Sequence, residues 1–168
     1  MSVLMASLLL ALTVAASIAV VAGEFSGQIQ LYRDTSYRYN LVLFAFTKSN
    51  RCFNLACNDY NDAVSSVDWS GLPTTASYDG VTKAHIVFYT DTDCTGQNKQ
   101  FPTSWGKVPS FVDYDMNDAI SSFMVLETSK EIENGKINLC SLESTTLAAD
   151  LNATAGIDTQ TSNNVSSS

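Results

Sequence analysis

Basic residues are scarce in this sequence. Its 168 residues include 9 Lys and Arg against 17 Asp and Glu, a formal charge of −8. A nucleic-acid interface neutralises phosphates with basic surface, so this balance excludes nucleic-acid partners. Histidine is scarcer still, since His85 is the only one. It lies in the strand-like run Ala84-His85-Ile86-Val87-Phe88-Tyr89, with no nucleophile elbow nearby. It therefore reads as a histidine on a half-exposed strand face, not as the base of a triad. No Gly-rich phosphate loop follows a strand, and the scattered carboxylates include no spacing that selects the facing pair a glycosidase needs. The chain is expected not to be an enzyme.

Long apolar runs are confined to the N-terminus. Leu8 to Leu12 and Ile18 to Val21 are apolar, small residues Ala22 and Gly23 follow, and Glu24 is the first charge. Residues 1–23 are expected to be a secretory signal peptide, although no Lys or Arg flanks Met1. A membrane anchor is the alternative, because the run approaches the roughly 20 residues a span requires. The Ala, Ser and Thr content and the small-residue end favour cleavage near Gly23 or Glu24. No later stretch is long and apolar enough to span, so the mature protein is expected to be secreted and extracellular, without a membrane partner.

Aromatic residues are missing from residue 143 onward, where Ser, Thr, Ala and Asn dominate. Such a segment has too little to bury, and residues 143–168 are expected to be a disordered tail. The two glycosylation sequons, at Asn152 and Asn164, both fall in it. A sustained helical period is likewise absent between residues 24 and 127. That region reads instead as short β-prone runs broken by turns, an all-β sandwich pattern. The runs are 27–32, 40–47, 51–55 and 64–69, then 85–89, 99–101, 111–112 and 120–126, with 74–83 a polar connector turning at Asp79-Gly80. Residues 128–142 are expected to form an extension held by a cysteine.

Cysteine is also limited: Cys52, Cys57, Cys94 and Cys140. Zinc would call for C-x-x-C pairs and histidines. Four cysteines in an exported chain point instead to two disulfides, and the count leaves three connectivities open.

Against these absences stands a repetition. Asn61-Asp62-Ala63-Val64-Ser65-Ser66 recurs as Asn117-Asp118-Ala119-Ile120-Ser121-Ser122. Each copy leads into an apolar strand and is preceded by a strand ending in tyrosine, Tyr32 or Tyr89, at 29 and 28 positions before the motif. Two landmarks in the same order at matching spacing mark an internal duplication, with units at about 27–73 and 84–127. Chemically, the hexapeptide offers an amide oxygen, a carboxylate and hydroxyls, the hard oxygens that Ca²⁺ takes six to eight at a time. Asn, Asp and Ser also build turns by bonding their own backbone. Their occurrence at equivalent places of both units favours the metal.

The paired motif resembles the calcium motif of the βγ-crystallin superfamily, especially its microbial calcium-binding members: [Asn/Asp]-[Asn/Asp]-x-x-[Ser/Thr]-Ser once per Greek key. The family hairpin has an aromatic, six residues, then Gly. Tyr89 to Gly96 fits, whereas Tyr32 would require Gly where the chain has Tyr39. The resemblance covers residues 27 to 127. It implies two four-stranded sheets, each unit lending its third strand to the other, in a βγ-crystallin-like sandwich over residues 24–127. It also implies shared Ca²⁺ sites: Asp62, the Ala63 carbonyl and Ser121 in one; Asp118, the Ala119 carbonyl and Ser65 in the other. Hairpin carbonyls near Arg33 and Thr90 would complete them. Asn61 and Asn117 would orient the loops or ligate, and Ser66 and Ser122 would bond the folded hairpins. The exchanged strand would place Cys52 near Cys94, leaving Cys57 and Cys140 to pin the extension, with Cys52–Cys57 as the local alternative.

The expected function is a secreted, non-enzymatic Ca²⁺-binding Greek-key protein that calcium stabilises. Proteinase inhibitors and toxin- or effector-like proteins also occur on this fold, so an extracellular protein target is a second expectation. An inhibitory loop would be Trp105-Gly106-Lys107-Val108-Pro109.

Overall fold

A computed structural model describes residues 25–57 and 59–141. The expected signal peptide, the expected tail and both sequons lie outside the described residues.

The first unit supplies β1 (Gly27–Asp34), β2 (Arg38–Phe46), β3 (Cys52–Asn54) and β4 (Ser66–Ser70). A linking hairpin, β5 (Thr75–Tyr78) and β6 (Val81–Lys83), leads to the second unit: β7 (His85–Asp91), β8 (Thr95–Pro102), β9 (Lys107–Val108) and β10 (Ser122–Leu126). A last strand, β11 (Lys136–Asn138), follows. Among the described residues the only helical elements are single 3-10 turns.

The strands form one sheet in the order β2-β1-β4-β9 and another in the order β11-β3-β10-β7-β8. Each unit thus sends its third strand across: β3 pairs with β10, and β9 pairs with β4. This exchange is the βγ-crystallin-like double Greek key that the resemblance implies. Strand β1 shows why the sheets pack face to face. Ile29 and Leu31 are buried while Gln28 and Gln30 point the other way, the period of two that gives a sheet one apolar face. Between the sheets lie Phe46, Phe53, Phe88, Phe101, Phe111 and Phe123, with the rings of Phe53 and Phe123 stacked at 5.0 Å. Full burial of one such ring stabilises by about 1.5–3 kcal/mol.

Three expectations need correction. The third strand of unit two is Lys107–Val108, not Phe111-Val112. Pro109 has no N–H to continue a ladder, and Phe111 turns into the core, its N–H donating to the Ser65 carbonyl at 2.9 Å. The connector 74–83 is a hairpin, not merely a polar link. Asp79 (φ 46°) and Gly80 (φ 75°) adopt the left-handed backbone that tight hairpin turns require. Its Tyr78 packs with Val87, Tyr89, Met124 and Leu126 on the outer face of the second sheet. Buried on both faces, β10 therefore has no polar alternation in Phe123-Met124-Val125-Leu126. Third, that sheet has five strands rather than four, because β11 joins β3 in parallel.

Asn50 fastens the extension. Fully buried, it accepts at Oδ1 from the Glu127 and Thr128 amides and the Thr128 hydroxyl, and donates from Nδ2 to the Ser129 carbonyl. The disulfides are Cys52–Cys94 and Cys57–Cys140, with Cα atoms 5.8 and 5.5 Å apart. The first ties β3 to the hairpin of the other unit, and the second ties the extension to the loop that follows β3.

Candidate calcium centre

The two hexapeptides lie side by side at one end of the sandwich because β4 and β10, which they precede, are the central strands of the exchanged sheets. Their backbones bond reciprocally. The Asp62 amide donates to the Ile120 carbonyl and the Asp118 amide to the Val64 carbonyl, both at 3.3 Å. Both aspartates are left-handed, at φ 54° and 51°, which a short polar side chain tolerates better than most.

Each position has one task in both copies. The sixth-position serines are buried and hold the hairpins folded. Ser66 Oγ donates to the Asp34 carbonyl at 2.6 Å and accepts from the Tyr37 amide at 3.0 Å. Ser122 Oγ does the same with the Asp91 carbonyl at 2.6 Å and the Cys94 amide at 3.1 Å. The fifth-position serines cross between units. Ser65 Oγ donates to Asp118 Oδ1 at 3.1 Å, and Ser121 Oγ donates to Asp62 Oδ1 at 3.3 Å. Their own amides bind the Tyr32 and Tyr89 carbonyls, both at 2.9 Å, so each serine is fixed to its hairpin. The first-position amides orient the acids: Asn61 Nδ2 donates to Asp62 Oδ2 and Asn117 Nδ2 to Asp118 Oδ2, both at 2.7 Å. Asp62 and Asp118 are exposed, and Ala63 and Ala119 are half-buried in the same turns.

These residues fit a hard cation. Asn117 Oδ1 is buried without a hydrogen-bond partner, an acceptor oxygen beside Asp118. Among the described residues no three His, Cys, Asp or Glu side chains cluster. A cation here would thus be held by carboxylate, hydroxyl and carbonyl oxygens together, the mixture Ca²⁺ accepts. Asp62, Ala63, Ser65, Asn117 and Asp118 line one open cleft with Arg33 and Arg38 of the first hairpin. The sequence gives no local sign of either arginine's place here, because each sits far from the motif along the chain.

The surroundings carry two perturbed groups. Tyr32 donates to Asp68 Oδ2 at 2.7 Å, and burial together with that carboxylate pushes its hydroxyl up to about 12. Asp93 is held below the usual carboxylate range by hydrogen bonds from Asn54 at 3.0 Å and Lys136 at 2.9 Å.

Elsewhere, His85 is half-buried on β7, its Nδ1 without a hydrogen-bond partner. The segment Trp105–Pro109 is laid into a sheet edge. The Gly106 carbonyl accepts from the Trp69 amide at 2.8 Å, the Pro109 carbonyl accepts from the Ser36 amide at 2.7 Å, and Lys107 and Val108 pair with β4.

No family model matches the sequence, and no curated protein does. Solved βγ-crystallin domains are similar in structure. One from Flavobacterium johnsoniae is 20% identical at a TM-score of 0.40, over 59% of this chain and 93% of that one. One from an archaeon is 17% identical at 0.39, over 59% and 96%. One from Ciona intestinalis is 18% identical at 0.38, over 58% and 96%.

Proposed function

We infer that this is a secreted, non-enzymatic Ca²⁺-binding protein whose double Greek key is stabilised by calcium at two shared sites. The observation that carries the reading is the reciprocal cross-unit pairing of Ser65 with Asp118 and Ser121 with Asp62. Each pair joins oxygens from loops more than 50 residues apart in sequence, 53 for one and 59 for the other. Such a pair exists only in the folded state, and an ion bound there favours that state by mass action. Asp62, the Ala63 carbonyl and Ser121 would hold one ion; Asp118, the Ala119 carbonyl and Ser65 the other. Asn61 and Asn117 would orient the acids, with the unpartnered Asn117 oxygen available as a ligand.

Two disulfides support an oxidising, extracellular setting. Calcium in the range of about 10⁻⁴–10⁻³ M, where extracellular modules bind, would keep the sites occupied there. The inhibitor reading gains no support from Trp105–Pro109, whose Gly106 and Pro109 carbonyls are already engaged within the fold. Isothermal calorimetry with calcium tests the reading: two binding events support it, and no heat at millimolar calcium would overturn it.

A further inference from the structure

The two sites differ in their fixed charge. With Tyr32 laid on Tyr89, Arg33 falls on Thr90 and Arg38 on Thr95, so the first hairpin carries two cations where the second carries none. Both arginines are exposed and line a cleft that contains Ser65 and Asp118 together with Asp62 and Ala63. The hairpins separate the two sites: the Ser65 amide donates to the carbonyl of Tyr32, the neighbour of Arg33, and the Ser121 amide to that of Tyr89, both at 2.9 Å. One acid of that hairpin, Asp34, stands 4.0 Å from Arg38, which leaves Arg33 as net positive charge. The second hairpin carries Asp91 and Asp93, and among the described residues only Asp93 is in an ion pair, with Lys136 at 2.9 Å. Of the Asp62–Ser121 site the cleft includes Asp62 and Ala63 but not Ser121.

We propose that Arg33 and Arg38 make the Asp118–Ser65 site the weaker of the two calcium sites, so that the protein fills its Asp62–Ser121 site first and the other only at higher calcium. This rests on the calcium reading above. The physical cause is repulsion between a divalent ion and the Arg33 guanidinium, with Arg38 adding what Asp34 does not offset. A guanidinium held about 8 Å from a divalent ion in water would oppose binding by roughly a factor of five before salt screening. The second site has the opposite field, with Asp91 adding attraction. Calcium binding would then be graded over a wider concentration range than two equal sites allow.

The test is calorimetric titration of the natural protein, of the Arg33→Gln/Arg38→Gln double variant, and of Asp62→Asn and Asp118→Asn. The natural protein should show two unequal events. The arginine variant should tighten the weaker event by about fivefold or more and the stronger one by clearly less. Asp118→Asn should remove the weaker event and Asp62→Asn the stronger. The proposal is overturned if Asp118→Asn removes the stronger event, or if the arginine variant leaves the weaker affinity where it was. Calcium heat absent from the natural protein would instead remove the reading beneath it. Melting temperatures without calcium, expected to be nearly equal for the natural and arginine-variant proteins, show that each is folded.

Discussion

Ser65 and Asp118, 53 residues apart, meet at 3.1 Å across the interface between the two Greek keys. Because each belongs to a different copy of the repeated hexapeptide, the contact ties the duplicated units to one another. A ligand drawing on both oxygens would tie them more strongly. Ser65→Ala and Asp118→Ala are therefore expected to be non-additive. Without calcium, the lost hydrogen bond should couple them by about 1 kcal/mol in unfolding free energy. With calcium the coupling should grow, because either change already damages the same site. Additive effects in both conditions would mean that the two side chains act separately.

A second prediction concerns the hairpins. Tyr39 holds φ 58° with 71% of its surface exposed, at the place where the other hairpin has Gly96. A left-handed backbone costs an L-residue about 1–2 kcal/mol, and the exposed ring returns little packing. Tyr39→Gly should therefore stabilise the fold by about 0.5–1 kcal/mol once glycine's greater freedom in the unfolded chain is set against the relief. Gly96→Ala should do the reverse. A Cβ there would sit 2.5 Å from Thr90 Oγ1 and 2.7 Å from Asp91 Cγ at φ 76°, a loss of about 1–2 kcal/mol. Urea denaturation measures both.

Much of this arrangement is legible in the sequence. The hexapeptides and their tyrosine spacing mark the duplication, and the exchanged strands and both cysteine pairs then follow from the resemblance. The rest is hidden for physical reasons. Tyr39 violates the backbone preference that would announce its turn, so only a comparison with the other unit reveals it. The linking hairpin is mostly polar and is held by a few apolar side chains, Tyr78 foremost, on a sheet face that the sequence alone does not expose. Asn50 acts through partners 77 to 81 residues away, which no local pattern encodes. The fold brings Arg33 and Arg38 into the cleft lined by Asp62 and Asp118, and their own neighbours in the chain give no sign of it.

A third prediction follows from Tyr32. Its hydroxyl is raised from 10.0 to about 12 by burial and by the Asp68 carboxylate. A raised folded-state pKa contributes stability that is complete below the unfolded value and is lost as pH rises through the folded one. Stability should therefore decline between about pH 10 and 12, and Tyr32→Phe should flatten that decline. Melting temperatures recorded across this range, with tyrosinate absorbance as the second signal, check it. An equally steep decline in the variant would assign the effect to other groups.

The disulfides give a fourth. Peptide mapping of unreduced protein should recover Cys52 joined to Cys94 and Cys57 joined to Cys140, with no free thiol among them. Cys57–Cys140 closes a loop of 83 residues, and its loss through Cys57→Ser/Cys140→Ser should cost about 4 kcal/mol. The damage should begin in the extension, so amide exchange should accelerate first across 128–141. A Cys52–Cys57 peptide would contradict the strand exchange that places Cys52 beside Cys94.

The central claim is that calcium holds the two hexapeptides together in the folded protein. Its most direct test is the melting temperature of the natural protein in excess calcium and in chelator, beside Asp62→Asn/Asp118→Asn. At a hundred times the dissociation constant one site adds about 2.7 kcal/mol, a rise of about 10 °C or more for a domain of this size. The natural protein should show that rise and the double variant should lose nearly all of it. A natural protein that melts at the same temperature in calcium and in chelator would contradict the account and leave the hexapeptides as structural turns.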